Sequence, residues 1–444
     1  MSFQPDRAID DPAFNAETLA RSKSDAAGSS HDNTSRLEKF FAECGGLLRA
    51  PQRALALTSV VLTSAIRSFA DRRHLYSFAT TRRDSTTVLN LTIRWTLDAQ
   101  RADGGVPAYF SLLTGYSESY PEVTGYIVPT LYDFAVAFSD RRAAMAAHRA
   151  TCWLISLQMP SGAFPGGLLR SNAHASIFNT GQILHGLIRA YEETGDADIL
   201  SAAIAAGDWL ARMQCGNGSW SGPEAYQSKP HTYYSMVSWA LAELANVART
   251  SRLREAAERN LNWTLSHFQP GGWIDGIDLA GHPNYLHFIA YVLQGTLECA
   301  ILCHRNDGVE AVTKSAWVLL RKFEANKNLC GAYERDFKNG QRFTCLTGNA
   351  QMSCIWLRLF EVTGDLRYFN VALKMNEMLK RLIPGRGGQG VAGGVSGSYP
   401  IWGAYQPLRY ISWGCKFLAD ALLLERRLKN SFAAHPREAW QCAS

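Results

Sequence analysis

The alternation of apolar and polar positions along the chain predicts two kinds of helix. In the first kind, apolar residues recur three and four positions apart, which is the spacing of one buried helical face. Segments of this kind are 86–98, 144–157, 202–213, 256–268, 312–325 and 369–382. Helices of the second kind are apolar on most faces, which is typical of a fully buried helix. They begin near Thr124, Thr180, Ser235, Ile289, Gly348 and Ser412.

A repeated phrase follows the helices of the first kind. It has a glutamine, a glycine four positions later, and an apolar or aromatic residue two positions after the glycine. The copies are Gln100-Gly104-Val106, Gln158-Gly162-Phe164, Gln214-Gly218-Trp220 and, in compressed form, Gln269-Gly272-Trp273, with a weak copy ending at Gly331-Ala-Tyr333. Self-similarity at a period of about 56 residues indicates a repeat architecture. Six outer and six inner helices close naturally into an all-α (α/α)6 toroid, so we predict this fold.

Composition divides the chain into one large unit and two tails. At 444 residues the chain is long for one compact domain, but a toroid uses about this length as a single unit. Residues 1–35 are predicted to be a disordered tail, because Ser, Asp, Ala and Asn dominate 21–35. We expect 36–85 to form N-terminal helices that pack on the barrel, 86–430 to form the toroid, and 431–444 to form a C-terminal tail.

One apolar run near the N-terminus raises the question of a membrane. The run 54–66 has roughly 13 residues, too few to cross a bilayer, and it lacks the layout of a signal peptide. Arginines flank it at positions 49, 53, 67, 72 and 73, so peripheral membrane association through 49–73 is one interpretation. A basic amphipathic helix packed on the barrel is the favoured one.

Cysteine spacing and net charge bear on the cellular location of the protein and on its classes of partner. Ten cysteines are scattered without paired spacing, which indicates a cytoplasmic protein with free thiols. The net charge of +6 is mild and would suit an acidic substrate or a membrane surface. Nucleic-acid-binding motifs are absent from the sequence, so no nucleic-acid partner is expected.

Polar and aromatic residues collect in the six loops that precede the inner helices. They are Tyr116, Glu118, Tyr120 and Glu122 in the first loop, His174 and Asn179 in the second, Glu224, His231 and Tyr233 in the third, Asp275, Asp278, Asn284, Tyr285 and His287 in the fourth, Arg335 and Asp336 in the fifth, and Trp402 and Tyr405 in the last. Rings stack on the apolar faces of sugars, while amides and carboxylates bind hydroxyl groups. Six such loops around one concavity predict a carbohydrate-binding cleft.

Two kinds of carbohydrate chemistry could use these residues. Glycoside hydrolysis needs two carboxylates that flank the scissile bond, and the candidates are Glu118, Glu122, Glu224, Asp275, Asp278 and Asp336. A uronate lyase or C5-epimerase needs an Asn, His or Arg to neutralise the sugar carboxylate, and a Tyr or His to move the C5 proton. The clusters His231-Thr-Tyr233 and Asn284-Tyr285-Leu-His287 have these residue types at short spacing. Sequence alone leaves the reaction open.

We predict an enzyme that acts on an acidic, uronate-containing glycan. The predicted catalytic residues are His231, Tyr233, Tyr285 and His287, which handle protons, and Glu122, which positions the sugar together with Asn284. The predicted substrate-binding residues are Tyr116, Glu118, Tyr120, His174, Asn179, Glu224, Asp278, Asn284, Arg335, Trp402 and Tyr405. No cofactor or metal ion is predicted. A non-catalytic glycan-binding toroid is a further alternative.

The repeated phrase also resembles a motif of isoprenoid enzymes. Gln214-Cys-Gly-Asn-Gly218-Ser-Trp220 matches the Gln-x-x-x-Gly-x-Trp repeat of squalene-hopene cyclases and is similar to the turns of protein prenyltransferase β subunits. This resemblance implies a terpene cyclase or prenyltransferase as an alternative function. The marks of those reactions do not follow: Asp275-Gly-Ile-Asp278 is not Asp-x-Asp-Asp, and Cys299-x-x-x-Cys303-His304 fits a packed helix better than a zinc site. The phrase is therefore interpreted as structural.

A second resemblance involves the loops around the first and last inner helices. The segments 120–127, 393–405 and 413–422 look like the signature of bacterial toroid proteins associated with surface-polysaccharide biosynthesis, over roughly residues 90–425. The resemblance implies a carbohydrate substrate and a possible place in a polysaccharide-synthesis assembly. It does not imply a particular reaction.

Overall fold

The computed structural model describes residues 58, 60–62, 83–168, 173–277 and 282–434. The predicted tail 1–35, nearly all of the predicted helical segment 36–85 and most of 431–444 lie outside the described residues. So does the predicted substrate-binding residue Asp278.

Twelve long helices alternate between an outer and an inner ring within residues 83–434. The outer helices are α1 Ser85–Ala99, α3 Arg141–Ser156, α5 Ala197–Met213, α7 Ser251–Leu265, α9 Asn306–Asn326 and α11 Leu366–Leu382. The inner helices are α2 Pro121–Phe138, α4 Ile177–Thr194, α6 Ser235–Ala248, α8 Leu286–Leu302, α10 Leu346–Thr363 and α12 Ser412–Ala434. This arrangement confirms the predicted (α/α)6 toroid. The inner helices are buried on nearly every face, as their uniform apolar character predicts.

The ring closes between the first and the last helices. Each inner helix packs against the next one, and α12 packs back against α2. An outer helix packs mainly against the inner helix that precedes it, while α1, which has no predecessor among the described elements, packs against α12. Polar contacts join these two ends: Ser85 Oγ donates to Glu425 Oε1 at 2.9 Å, and Trp95 Nε1 donates to the carbonyl of Gly390 at 2.8 Å. The sixth helical hairpin is therefore formed by the first and last helices.

The two ends of the toroid differ in the length of their connections. At one end, short turns lead from an inner to an outer helix. Gly195 and Gly364 end their helices in the left-handed conformation, and the next residues, Asp196 and Asp365, cap the following outer helices with their side chains. We call this the short-turn end. Long loops lead from outer to inner helices at the opposite end, which we call the loop end.

Each complete copy of the glutamine phrase forms the bend at the start of a long loop. Gln158 Nε2 donates to the carbonyl of Gly162 at 3.0 Å and to that of Ala202, on the next outer helix, at 2.8 Å. The equivalent glutamines of the two flanking copies make the same pair of bonds. Gly162 has a φ of +95°, and a Cβ there would lie 2.3 Å from the carbonyl oxygen of Ala205. The phrase is thus a structural hinge, as its interpretation from sequence requires.

Three small antiparallel sheets connect neighbouring loops around the loop end. Their strands are β1 Tyr109–Ser111, β2 Gly115–Tyr116, β3 Asn284–Tyr285, β4 Ala332–Glu334, β5 Lys338–Asn339, β6 Thr344–Cys345, β7 Ser398–Tyr399 and β8 Arg409–Ile411. The sheet orders are β2-β1-β8, β3-β4-β5 and β6-β7. Because β8 pairs with β1 through Phe110 and Tyr410, the last loop is fixed to the first, and the loop end closes like the helices.

None of the helices in the described ranges has both the length and the hydropathy that a bilayer span requires. The cysteines in these ranges are all free thiols. The cytoplasmic location stays a prediction.

Candidate active site

The five predicted catalytic residues come together at the loop end of the central hole. None is more than 4% exposed. Together with Phe288 and Tyr405 they form what we call the lumen cluster: Glu122, His231, Tyr233, Tyr285, His287, Phe288 and Tyr405. Glu122 and His287 lie in the first turns of inner helices, and the other predicted residues lie just before such helices. The repeat therefore positions them, because every inner helix begins at the same depth of the ring.

Ring contacts make the aromatic and imidazole members of the lumen cluster continuous. The rings of His231 and Tyr233 stack with their centroids 5.0 Å apart and an interplanar angle of 18°. Phe288 lies 6.1 Å from Tyr233, 6.0 Å from Tyr285 and 5.5 Å from His287, again between centroids. The two short sequence clusters that carried the catalytic prediction thus meet across one phenylalanine.

A second layer of rings lies one helical turn deeper in the hole. Tyr291 is 4.2 Å from His287 and 5.9 Å from Phe417, and Tyr126 is 6.1 Å from Phe417. We call Tyr126, Tyr291 and Phe417 the aromatic layer. None of the three is among the predicted catalytic or substrate-binding residues. A signal existed, since the two tyrosines occupy matching places in the aligned starts of α2 and α8.

His287 is held as a neutral imidazole. Burial lowers its pKa to about 3, against the opposing effect of a hydrogen bond to Gln351. The Nδ1 atom lies 2.5 Å from Gln351 Oε1. Because that oxygen can only accept, we place the ring proton on Nδ1. The lone pair of the neutral ring is then at Nε2, so His287 can accept a hydrogen bond there at neutral pH.

The phenols beside His287 are held in their protonated form. Burial raises the pKa of Tyr285 to about 12. Burial also raises the pKa values of Tyr405 and Tyr126 well above their usual range, and the Glu122 carboxylate contributes to the shift at Tyr126. At neutral pH these hydroxyl groups can therefore donate hydrogen bonds or protons, and they are not bases.

Glu122 is a buried carboxylate in the first turn of α2. Tyr120 Oη donates to its Oε2 at 2.7 Å. In the amide orientation that satisfies both of its polar atoms, Asn179 also donates to Glu122 Oε2, at 3.3 Å, and accepts from the backbone of Gly167. The backbone N–H groups at the start of a helix carry a partial positive charge. All six inner helices begin at this end, so their first turns favour anionic groups in the hole.

The remaining predicted residues lie around the rim of the hole. Glu118, His174, Arg335 and Trp402 are exposed, whereas Tyr116, Glu224 and Asn284 are half-buried. Arg335 forms an ion pair with Asp275 at 3.5 Å. The buried Oδ1 atom of Asn284 accepts no hydrogen bond from the described residues. The rim thus presents aromatic, cationic and amide groups above the buried cluster.

One rim pair was not predicted from sequence. The guanidinium of Arg409 lies 4.2 Å from the ring centroid of Tyr109, in a cation–π contact between the last loop and the first. Within the described ranges no group of three or more His, Cys, Asp or Glu side chains is placed to hold a metal ion.

Comparison with known proteins identifies the fold. No protein-family model matches the chain, and no curated protein does either. Solved structures do match. An unsaturated glucuronyl hydrolase specific for heparin is 15% identical, with a TM-score of 0.61, over 78% of this chain and 96% of its own. An unsaturated glucuronyl hydrolase from Bacillus sp. GL1, described as responsible for glycosaminoglycan degradation, is 14% identical with a TM-score of 0.61, over 78% and 97%. The cellobiose 2-epimerase of Spirochaeta thermophila is 13% identical with a TM-score of 0.61, over 78% and 96%. These enzymes share the toroid fold of this chain.

Proposed function

We propose that the protein is a carbohydrate-active enzyme that moves a proton at C5 of a uronate residue in an acidic oligo- or polysaccharide. One observation carries this proposal: a neutral buried imidazole, His287, packs beside the protonated phenol of Tyr405, which in turn contacts the protonated phenol of Tyr285. Proton transfer between carbon and a side chain needs a base and an acid that are both in their active protonation state at neutral pH.

His287 and Tyr285 fit the two roles. The lone pair at Nε2 of His287 would accept the C5 proton, and the Tyr285 hydroxyl would return a proton. Return to the other face of C5 gives an epimerase, and loss of the substituent at C4 gives a lyase. His231 and Tyr233, stacked on the other side of Phe288, form a second imidazole–phenol pair that could serve the opposite face of the sugar ring.

The helix ends support an anionic substrate. Partial positive charge from six inner-helix N-termini favours a carboxylate bound in the hole. Arg335 and Asn284 at the rim add donors, and the exposed ring of Trp402 offers a face for a sugar ring. We assign these groups to substrate binding.

A hydrolase is the second candidate, since two of the solved structures with this fold are named glucuronyl hydrolases, while a third is named an epimerase. Hydrolysis needs two carboxylates across the bond. Of the candidate carboxylates in the described ranges, only Glu122 is buried in the lumen cluster. Glu118 and Asp336 are exposed, and Glu224 and Asp275 are half-buried. The cluster therefore supports proton transfer at carbon better than a carboxylate pair.

The isoprenoid alternative has less support in the same residues. A hydrocarbon substrate calls for a hole lined mainly by Phe and Trp. The lumen cluster instead contains three tyrosines, two histidines and a glutamate with a single phenylalanine. We extend the proposal to a cytoplasmic role in bacterial surface-polysaccharide metabolism, which rests on the sequence resemblance alone.

The test is incubation with a panel of acidic polysaccharides. Solvent deuterium at C5 would identify an epimerase, unsaturated uronate absorbance a lyase, and new reducing ends without either signal a hydrolase. Turnover should fall by about 10²–10⁴-fold in His287→Gln and in Tyr285→Phe. It should persist in Tyr368→Phe, a matched control that removes a buried phenol from outer helix α11. Full activity of both site variants would refute the proposed roles.

A further inference from the structure

A cavity occupies the short-turn end of the hole, beyond the aromatic layer. Its volume is about 810 Å³, within the range of roughly 300–1,000 Å³ that is common for small-molecule sites. Side chains of α2, α4, α8, α10 and α12 line it. The proposed active site lies on the other side of Tyr126, Tyr291 and Phe417, so this cavity is a separate compartment of the same hole.

The carboxylates that line this cavity are each neutralised by a cation. The pairs are Asp133 with Arg189 at 3.1 Å, Glu298 with Arg358 through two hydrogen bonds of 2.7 and 2.9 Å, and Asp420 with Lys416 at 2.7 Å. Arg189 also pairs with Glu193 and Arg358 with Glu361, at 2.9 and 2.7 Å. Each guanidinium has five N–H donors, so some remain free on both arginines. The acceptors of the lining are therefore largely occupied, whereas its donors are not.

Further donors lie on the last helix. Arg426 forms no ion pair with the described residues, and its guanidinium rests 4.6 Å from the ring centroid of Phe138. Arg427 uses a single nitrogen, Nη2, on Glu361. Asn430 and Ser431 line the cavity beside these arginines. A ligand that meets this surface must supply acceptors, so the chemistry fits a small anion that also carries hydroxyl groups.

The negative carbonyl ends of the inner helices do not outweigh the positive side chains that line the cavity. Arg189 and Arg358 each lie five residues before the end of their helices, and Glu298 lies four before the end of its own. Val136 and Ala137, which also line the cavity, lie in the last turn of α2, but the partial charge of a helix end is about half an elementary charge, less than that of one guanidinium. Side chains, more than the carbonyl ends, therefore determine what the cavity attracts.

A chain of side-chain amides connects the cavity with the proposed active site. Gln351 accepts from Nδ1–H of His287 and donates through its Nε2 to Gln294 Oε1 at 3.4 Å. Gln294 lines the cavity. The hydrogen bonds along this row of side chains can point in either of two directions. In the direction described here His287 carries its proton on Nδ1; if both amides are reversed, Nδ1 becomes the acceptor and the proton lies on Nε2.

We infer that the cavity at the short-turn end is a second binding site, for a small hydroxylated anion such as a sugar acid or a sugar phosphate, and that its ligand sets the tautomer of His287 through Gln294 and Gln351. An anionic ligand accepts from Nε2–H of Gln294. That bond keeps Gln294 Oε1 turned toward Gln351, and Gln351 Oε1 turned toward His287. The ligand therefore favours the tautomer whose Nε2 is a base. Ligand binding in the cavity and the tautomer of His287 do not depend on the proposed function. Only a resulting change in turnover rests on it.

The binding arm uses calorimetry with three probes: glucuronate, glucose 6-phosphate and inorganic phosphate. A hydroxylated probe should bind the wild type at this site, at least 10-fold more weakly in Arg426→Gln/Arg427→Gln, and with unchanged affinity in Arg321→Gln. That control removes an exposed arginine from outer helix α9. Preference for glucuronate or for glucose 6-phosphate distinguishes a sugar acid from a sugar phosphate. Binding of none of the probes, binding that the double substitution leaves intact, or phosphate alone binding as well as the sugars would overturn the assignment.

The tautomer arm uses the imidazole nitrogen resonances of ¹⁵N-histidine-labelled protein, with His287→Gln to assign the signals. In the free protein the hydrogen-bonded amides exchange between their two directions, so saturation with the binding probe should shift the averaged Nε2 signal of His287 toward that of a non-protonated ring nitrogen. The shift should disappear in Gln351→Leu, which leaves every residue that lines the cavity in place and should still bind the probe. A His287 signal that does not respond to saturation, or one that responds equally in Gln351→Leu, would refute the relay.

Discussion

The buried imidazole of His287 should make the protein sensitive to mild acid. Its pKa of about 3 in the folded chain compares with an ordinary value of about 6.5. Because the folded pKa is depressed, the unfolded chain binds the proton more readily between these two values. The stabilisation is therefore complete above about pH 6.5 and is lost as the pH falls toward 3. At pH 5 the unfolded imidazole is almost fully protonated and the folded one is not, which lowers the free energy of unfolding by about 2 kcal/mol.

Denaturant unfolding at pH 7.5 and pH 5.0 measures this contribution. The variant His287→Gln cannot titrate at this position, so its loss of stability between the two pH values should be smaller than that of the wild type by about 2 kcal/mol. His148→Gln is the control, since it removes an exposed histidine from outer helix α3. It should behave like the wild type. If wild type and His287→Gln lose the same free energy within about 0.5 kcal/mol, His287 is not held neutral by burial and the reasoning fails.

Three further substitutions test the hinge and the rim. Gly218→Ala places a Cβ 2.3 Å from the carbonyl oxygen of Arg259 at a φ of +89°, so it should lower the free energy of unfolding by about 3 kcal/mol in a denaturant titration. The control Gly216→Ala, with open space around its Cβ, should lower it far less. Equal losses in the two variants would contradict the argument. Gln158→Ala removes two hydrogen bonds to backbone carbonyls and should cost about 2 kcal/mol by the same measurement, an effect under 0.5 kcal/mol counting against the hinge. Trp402→Ala removes a ring that is 44% exposed; once a substrate is known, steady-state kinetics should show a raised KM with little change in kcat, and an unchanged KM would exclude a binding role.

The fold was predictable because it repeats. A buried helical face, a fully apolar helix and a glutamine turn each recur, so a weak local signal is confirmed several times along one chain. Gln269 marks the limit of that reasoning. In its shortened copy the side chain donates to Asp275 Oδ2 at 2.8 Å and does not tie its own turn to the next outer helix as Gln158 does. Loss of two residues from the phrase changed the hydrogen bond while the bend was kept.

For the site, the repeat predicts only how deep in the central hole each residue lies. Placing His287 and Glu122 at the starts of inner helices follows from the period. Their surroundings do not, because contacts across the hole join residues that are far apart in sequence. Gln351 meets His287 over 64 positions. Its role could not be found from spacing, although an amide in an otherwise apolar helix was a usable signal. The burial of the predicted residues was likewise not visible, since it depends on rings contributed by several repeats.

Because the first helix packs against the last, the ring tolerates chain ends at other positions. In an open solenoid the terminal repeats are special, because each exposes one unpaired face. Here α1 covers α12, so every repeat has two neighbours and the position of the chain ends within the ring is arbitrary as far as packing is concerned. A circularly permuted chain, opened at a short turn such as the one between α6 and α7 and rejoined through a linker from beyond α12 to the start of α1, would keep all the contacts between helices. Deletion of α1 alone would instead expose the face of α12 that α1 covers.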